Sequence, residues 1–219
     1  MKDIVVYIHG KNGSAAEAAR YRRLFADSDV LGFDYEARTP WEAKEEFAPY
    51  FESILKSRKS VTIVANSIGA FFAMHALRDM RIKKAYFISP IVNMENLILN
   101  MMSQANASEE ELRDKGELST KFGEKLSWRY LCYVREHPAF WTVPTHILYG
   151  ENDDPTSFET ICEFANQIGA TLTVMKNGEH RFSAAKQIRF SGERIRCYSQ
   201  QRRPAGTKGT FYPSLYGQI

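Results

Sequence analysis

The chain has 219 residues, 44% of them hydrophobic and 25% charged, with a formal net charge of +3 and three cysteines. That length suits one medium α/β domain, which buries roughly 70% of its unfolded surface and needs no disulfide or metal. The composition excludes disorder, collagen and coiled coil, and no apolar run approaches the ~20 residues of a membrane span.

The first six residues run straight into strand-like sequence, so no signal peptide is expected. Cys132, Cys162 and Cys197 are odd in number and far apart, which fits a reducing cytoplasm better than a disulfide framework. Ile4–Ile8 is a short apolar run without alternation, as a strand buried on both faces would be. His9-Gly10-Lys11-Asn12-Gly13-Ser14 follows it. Small residues there let a backbone N–H face a ligand, either as an oxyanion donor loop or as a phosphate cradle. The P-loop and dinucleotide glycine patterns are both absent, and an ordinary turn with a packed His9 is the third reading.

Ser14…Glu17 reads as a capping box, and Val30–Tyr35 as a weaker strand interrupted by Gly32. Thr39-Pro40-Trp41-Glu42 starts a helix, with Pro40 where a missing N–H costs nothing. Phe47, Tyr50, Phe51, Ile54 and Leu55 then mark one apolar face. Val61–Ala65 is the next strand. Ala65-Asn66-Ser67-Ile68-Gly69 joins it to a helix that is apolar almost all round. A serine on a sharp strand-to-helix turn holds its hydroxyl out at the carboxyl edge of a sheet, beside free N–H groups; the bland alternative is a helix N-cap.

Lys84–Ile88 is a further strand, and the 90–143 stretch after it holds no strand-like run. Leu126, Tyr130, Tyr133 and Val134 have helical spacing, with Met94, Met101, Met102, Trp128 and Trp141 adding bulk, so a helical cap over one sheet edge is expected. Thr145–Tyr149 and Thr171–Met175 are the last strands. Between them lie the Gly150-Glu151-Asn152-Asp153-Asp154-Pro155 loop and a capping signature at Thr156…Glu159. Gly178-Glu179-His180-Arg181-Phe182 follows the last strand. The element order predicts an α/β fold: a three-layer α/β/α sandwich on a mostly parallel, roughly six-stranded sheet.

Four motifs thus fall after strands, and three of them carry serine, acid and histidine in that chain order. Over residues 1–182 this resembles the α/β-hydrolase fold family, as a short member with a helical cap at about 90–143. The first glycine of the family's G-x-S-x-G is Ala65 here. The resemblance implies a serine hydrolase, carboxylesterase-like, with thioesterase, lactonase and peptidase chemistry close to it. Ser67 matches the nucleophile, His180 the base and Asp153 the acid, with Asp154 as runner-up. The oxyanion would be held by the backbone N–H of Ile68 and of Lys11, or of Asn12 in place of the latter. The partner implied is a small-molecule acyl substrate, bound near Met94, Met101 and Trp128. No metal, cofactor, nucleic acid or membrane span is implied, and self-association as a homodimer stays open. A catalytically degenerate binding protein and a phosphate- or nucleotide-binding protein using the Lys11 loop are the rival readings.

Residues 183–219 carry seven Lys/Arg and one Glu, +6, leaving 22 against 25, −3, in residues 1–182. The segment reads as a basic end, with a thin helical stripe over 183–199 and then irregular chain.

Overall fold

Side-chain alternation within the apolar runs decides which layer each residue enters. In β1 (Asp3–Ile8), Ile4, Val6 and Ile8 join one core, while Val5 and Tyr7 join another on the opposite face. The computed structural model describes residues 2–182 and 192–195. After β1 come a 3-10 helix (Ala15–Tyr21), β2 (Ser28–Phe33), α1 (Pro40–Leu55), β3 (Val61–Asn66), α2 (Ile68–Ala76) and β4 (Ile82–Ile88). The cap insert holds α3 (Met94–Gln104), α4 (Glu109–Lys115), β5 (Glu117–Ser119), β6 (Lys125–Ser127) and α5 (Trp128–Glu136). β7 (Thr145–Asn152), α6 (Phe158–Ile168) and β8 (Thr171–Glu179) complete the sheet.

The main sheet has six strands in the order β2-β1-β3-β4-β7-β8, every pair parallel. This is the α/β architecture that the element order predicts. One face packs on Phe47, Phe51 and Leu55 of α1, the apolar body of α2, and Ile161 and Phe164 of α6. The other packs on Ala18 and Tyr21 of the 3-10 helix, on Phe182 and on Ile195. Residues 192–195 are helical, and Ile195 is fully buried. The rest of the basic 183–219 segment, Cys197 included, lies outside the described residues.

Several local expectations are corrected. The 90–143 insert is not free of strands: Glu117–Ser119 and Lys125–Ser127 pair as an antiparallel hairpin, each too short to show alternation. Leu126 therefore lies on a strand, while Tyr130, Tyr133 and Val134 follow on α5. Ser14 makes no side-chain cap, and Glu17 instead accepts a 2.6 Å hydrogen bond from Tyr7 Oη. The α6 cap is Ser157, which accepts from the Thr160 N–H, and not Thr156. Thr39 does cap α1, accepting from the Glu42 N–H. Gly32 marks a crowded crossing, since a methyl there would lie 2.0 Å from Ala15 O in the 3-10 segment.

Cap helices pack through Ile98, Met102, Leu112, Leu131 and Val134 into the main core. Arg135 ties three of them together, reaching Glu95 at 2.6 Å and Glu109 at 2.7 Å. Among the described residues no helix is long and apolar enough to cross a membrane.

Candidate active site

Sheet topology locates the crevice. From β1 the chain moves outward to β2, then crosses back to β3 on the other side of β1, so the connections diverge between β1 and β3. Ligands of open parallel sheets bind at such a switch point, outside the carboxyl ends of the strands. Gly10 and Ser67 stand on its two sides.

The turn after β3 is tight and strained. Ser67 has φ 53° and ψ −122°, a conformation that costs an L-residue about 1–3 kcal/mol and persists only when its surroundings enforce it. Three hydrogen bonds do so: Ser67 N–H to Ile88 O at 2.9 Å, Ala70 N–H to Ser67 O at 3.1 Å and Ile91 N–H to Ser67 O at 3.3 Å. Gly69 allows α2 to start this close to β1, because a methyl there would lie 2.3 Å from His9 O. Ala65 sits inside β3, fully buried and paired with Ile8 and Phe87, with no need of a glycine conformation. Although Ser67 occupies the N-cap position of α2, its side chain caps nothing.

Its hydroxyl turns instead to His180, with Oγ 2.7 Å from Nε2. On the far side of the ring, Nδ1 lies 2.9 Å from Asp153 Oδ2. A carboxylate accepts, so Nδ1 carries a proton; in the neutral ring Nε2 is then bare, and the Ser67 hydroxyl donates to it. The Asp153 carboxyl is fully buried, and its Oδ1 accepts the Thr156 N–H at 3.2 Å. Asp154, the runner-up, is exposed. Tyr149 holds this turn closed by donating to Thr156 O at 2.6 Å. Burial, and then the neighbouring Asp153 charge, hold its phenol above the ordinary range.

Next to Ser67, a methyl on Gly10 would lie 3.1 Å from Ser67 Cβ. Among the described residues no acceptor receives the N–H of Lys11 or of Ile68. Asn12, the alternative donor, takes φ 60°. The Lys11 ammonium is paired with Glu124 in the turn of the cap hairpin. His9 is a packed residue, stacked on Tyr35 at 4.3 Å between ring centroids. Of the residues expected to line a substrate site, Met94 is buried in the main core, whereas Met101 and Trp128 are half-buried against it. Among the described residues no group of three or more His, Cys, Asp or Glu is placed to hold a metal.

Four participants escaped sequence reasoning: Tyr35, Thr156, Gly150 and Gly178. The two glycines cross between the loops that carry Asp153 and His180, where a methyl on Gly150 would lie 2.6 Å from Gly178 O. The signal available was a glycine at the start of each loop motif. Thr156 was hidden because its contribution is a backbone N–H, which any residue supplies.

No protein-family model and no curated protein matches this sequence. Solved structures do. The chain is similar to Est1E from Butyrivibrio proteoclasticus, with TM-score 0.70 and 17% identity over 90% of this chain and 87% of that one. It is similar to alpha/beta hydrolase domain-containing protein 10 from mouse, with TM-score 0.69 and 16% identity over 90% and 89%. An esterase domain from Rhodothermus marinus gives TM-score 0.64 and 12% identity over 90% and 86%. This chain has the α/β-hydrolase fold.

Proposed function

We propose that the protein is a serine hydrolase that cleaves a small ester or related acyl substrate through Ser67, His180 and Asp153. The observation that carries the reading is the chain of contacts from Ser67 Oγ to His180 Nε2, 2.7 Å, and from His180 Nδ1 to buried Asp153, 2.9 Å. A serine held in a strained turn with its hydroxyl aimed at an imidazole, rather than at its own helix, is arranged for nucleophilic attack.

In this reading Ser67 Oγ attacks the acyl carbon while its proton passes to His180 Nε2. The new oxyanion receives the N–H groups of Ile68 and Lys11, which have no acceptor among the described residues. Such a donor contributes ~10²–10³ in rate. Collapse breaks the bond to the leaving group, which takes the proton from His180. Water then attacks the acyl-enzyme with His180 again as base, releasing the acid and restoring Ser67. Asp153 keeps the ring in the required tautomer and stabilises the imidazolium.

Carboxylester cleavage is the default among acyl transfers, and thioester, lactone and peptide cleavage use the same groups. The free cysteines Cys132 and Cys162 suit a cytoplasmic enzyme. A phosphate cradle at Lys11 is less well supported, because its ammonium is already paired with Glu124. The test is labelling by a fluorophosphonate probe: wild type reacts and Ser67→Ala does not. Labelling that is absent, or that survives the substitution, removes the proposal.

A further inference from the structure

The bond between His9 and Gly10 fixes a peptide beside Ser67, and its consequence for catalysis rests on the serine-hydrolase reading above. His9 is 7% exposed, and its Nδ1 lies 2.8 Å from Gly10 O. A carbonyl only accepts, so Nδ1 carries a proton in the neutral ring and in the imidazolium alike. The same carbonyl accepts the Gly13 N–H at 3.0 Å.

The peptide joining Gly10 to Lys11 is trans, as there is no cis peptide among the described residues. In a trans peptide the C=O and N–H point in opposite directions. Two donors holding the Gly10 oxygen therefore hold the Lys11 N–H on the other side, where no acceptor among the described residues receives it. The ring that does this is itself held. It stacks on Tyr35 with 12° between planes, and Tyr35 Oη donates to His9 O at 2.7 Å. Its Nε2 is buried without a hydrogen-bond partner, and the exposed Asp34 carboxylate stays 3.7 Å away. Among the described residues, the only hydrogen bond of this imidazole is the one to Gly10.

We propose that His9 is a positioning residue: its Nδ1–H clamps the Gly10 carbonyl so that the Lys11 N–H stays aimed at the oxyanion formed on the acyl group attacked by Ser67. An unclamped peptide is free to rotate its N–H away, which removes stabilisation of the transition state and leaves ground-state binding alone. The signature is thus a loss in kcat with KM preserved.

His9→Phe keeps a flat ring over Tyr35 and removes the donor. His9→Asn restores an N–H near the Nδ1 position and loses the ring. With p-nitrophenyl acetate as substrate, His9→Phe should lower kcat by ~10- to 100-fold with KM within about twofold, short of the loss of a whole donor. It should weaken a trifluoromethyl ketone, which mimics the oxyanion, by a similar factor. His9→Asn should stay within about fivefold of wild type. Should His9→Phe fail to fold, the isosteric pair His9→Asn and His9→Leu carries the test, with Asn active and Leu impaired. A wild-type kcat in His9→Phe or His9→Leu, or equal losses in Asn and Leu, would overturn the role of His9 alone. Wild type that neither turns over ester nor takes a fluorophosphonate would instead remove the hydrolase reading on which the role rests.

Discussion

Gly150 and Gly178 pass closely: a methyl on Gly150 would lie 2.6 Å from Gly178 O, and one on Gly178 would lie 3.0 Å from Gly150 Cα. The crossing coincides with a register shift in the β7–β8 pair, at Gly150/Asn152. Just beyond it, the Asn177 N–H donates to Glu151 at 2.8 Å. The strands that present Asp153 and His180 are therefore set against each other at this point.

Gly150→Ala should push the two loops apart and lengthen the contact of His180 with Asp153 or with Ser67. Displacements near 1 Å in a catalytic constellation cost on the order of 10²-fold. Ester turnover should thus fall by at least about tenfold at a temperature where circular dichroism shows the variant folded. Unchanged turnover would mean that the loops adjust independently.

The two adjacent carboxylates should separate cleanly. Asp153 is buried, contacts His180 and accepts the Thr156 N–H, whereas Asp154 is exposed. Asp153→Asn should lower kcat by ~10⁴-fold, because an amide cannot hold the required tautomer. Asp154→Asn should stay within about threefold, as a surface substitution does. Steady-state kinetics on both variants decide the assignment, and the reverse result would exchange the two.

Ala65 replaces a glycine of the nucleophile-turn pattern without a conformational reason for one. Ala65→Gly should leave kcat within about threefold and cost about 0.5–1 kcal/mol of stability in urea unfolding, from the freer unfolded chain. Gly69→Ala should behave otherwise. Its methyl would lie 2.3 Å from His9 O, so both the Ser67 turn and the loop that follows β1 must move. A turnover of Gly69→Ala equal to that of Ala65→Gly would contradict this.

His75 supplies a pH prediction outside the site. It is buried on α2, with ring nitrogens 3.0 Å from Phe71 O and 3.0 Å from His137 O. Burial lowers its pKa, outweighing the two carbonyls that favour the charged ring; the charges of Lys44 and His137 push the same way as burial. The unfolded chain then binds a proton near pH 6.5 that the folded chain refuses. Stability is full above that pH and is lost as pH falls towards the lower folded value. Unfolding midpoints should drop more steeply below about pH 6.5 for wild type than for His75→Asn. Parallel curves would rule out His75 as the source.

Much of this molecule is legible locally. The apolar runs at Ile4–Ile8, Val61–Ala65, Lys84–Ile88, Thr145–Tyr149 and Thr171–Met175 all lie in strands of the main sheet. A hydroxyl three residues ahead of a carboxylate located the start of α1, where Thr39 caps the Glu42 N–H. The same pattern misled at Ser14 and Thr156. There a nearby tertiary partner, Tyr7 Oη for Glu17 and Pro90 O for Thr156, takes the group that the pattern assigns to the helix end.

What the amino-acid order determined by itself is therefore the strands of the main sheet and the helices between them, the chain order serine, acid, histidine, and the placing of each after a strand. These follow from periodicity and backbone preference, which act over a few residues. Only the tertiary structure decided the strand order, the burial of Asp153 over Asp154, the release of Ser67 from its helix cap and the crossing of Gly150 with Gly178. Each depends on groups far apart in the chain, 113 residues for Ser67 and His180. Chain separation leaves no local period to read, because such contacts form only when the buried faces of the sheet have chosen their neighbours.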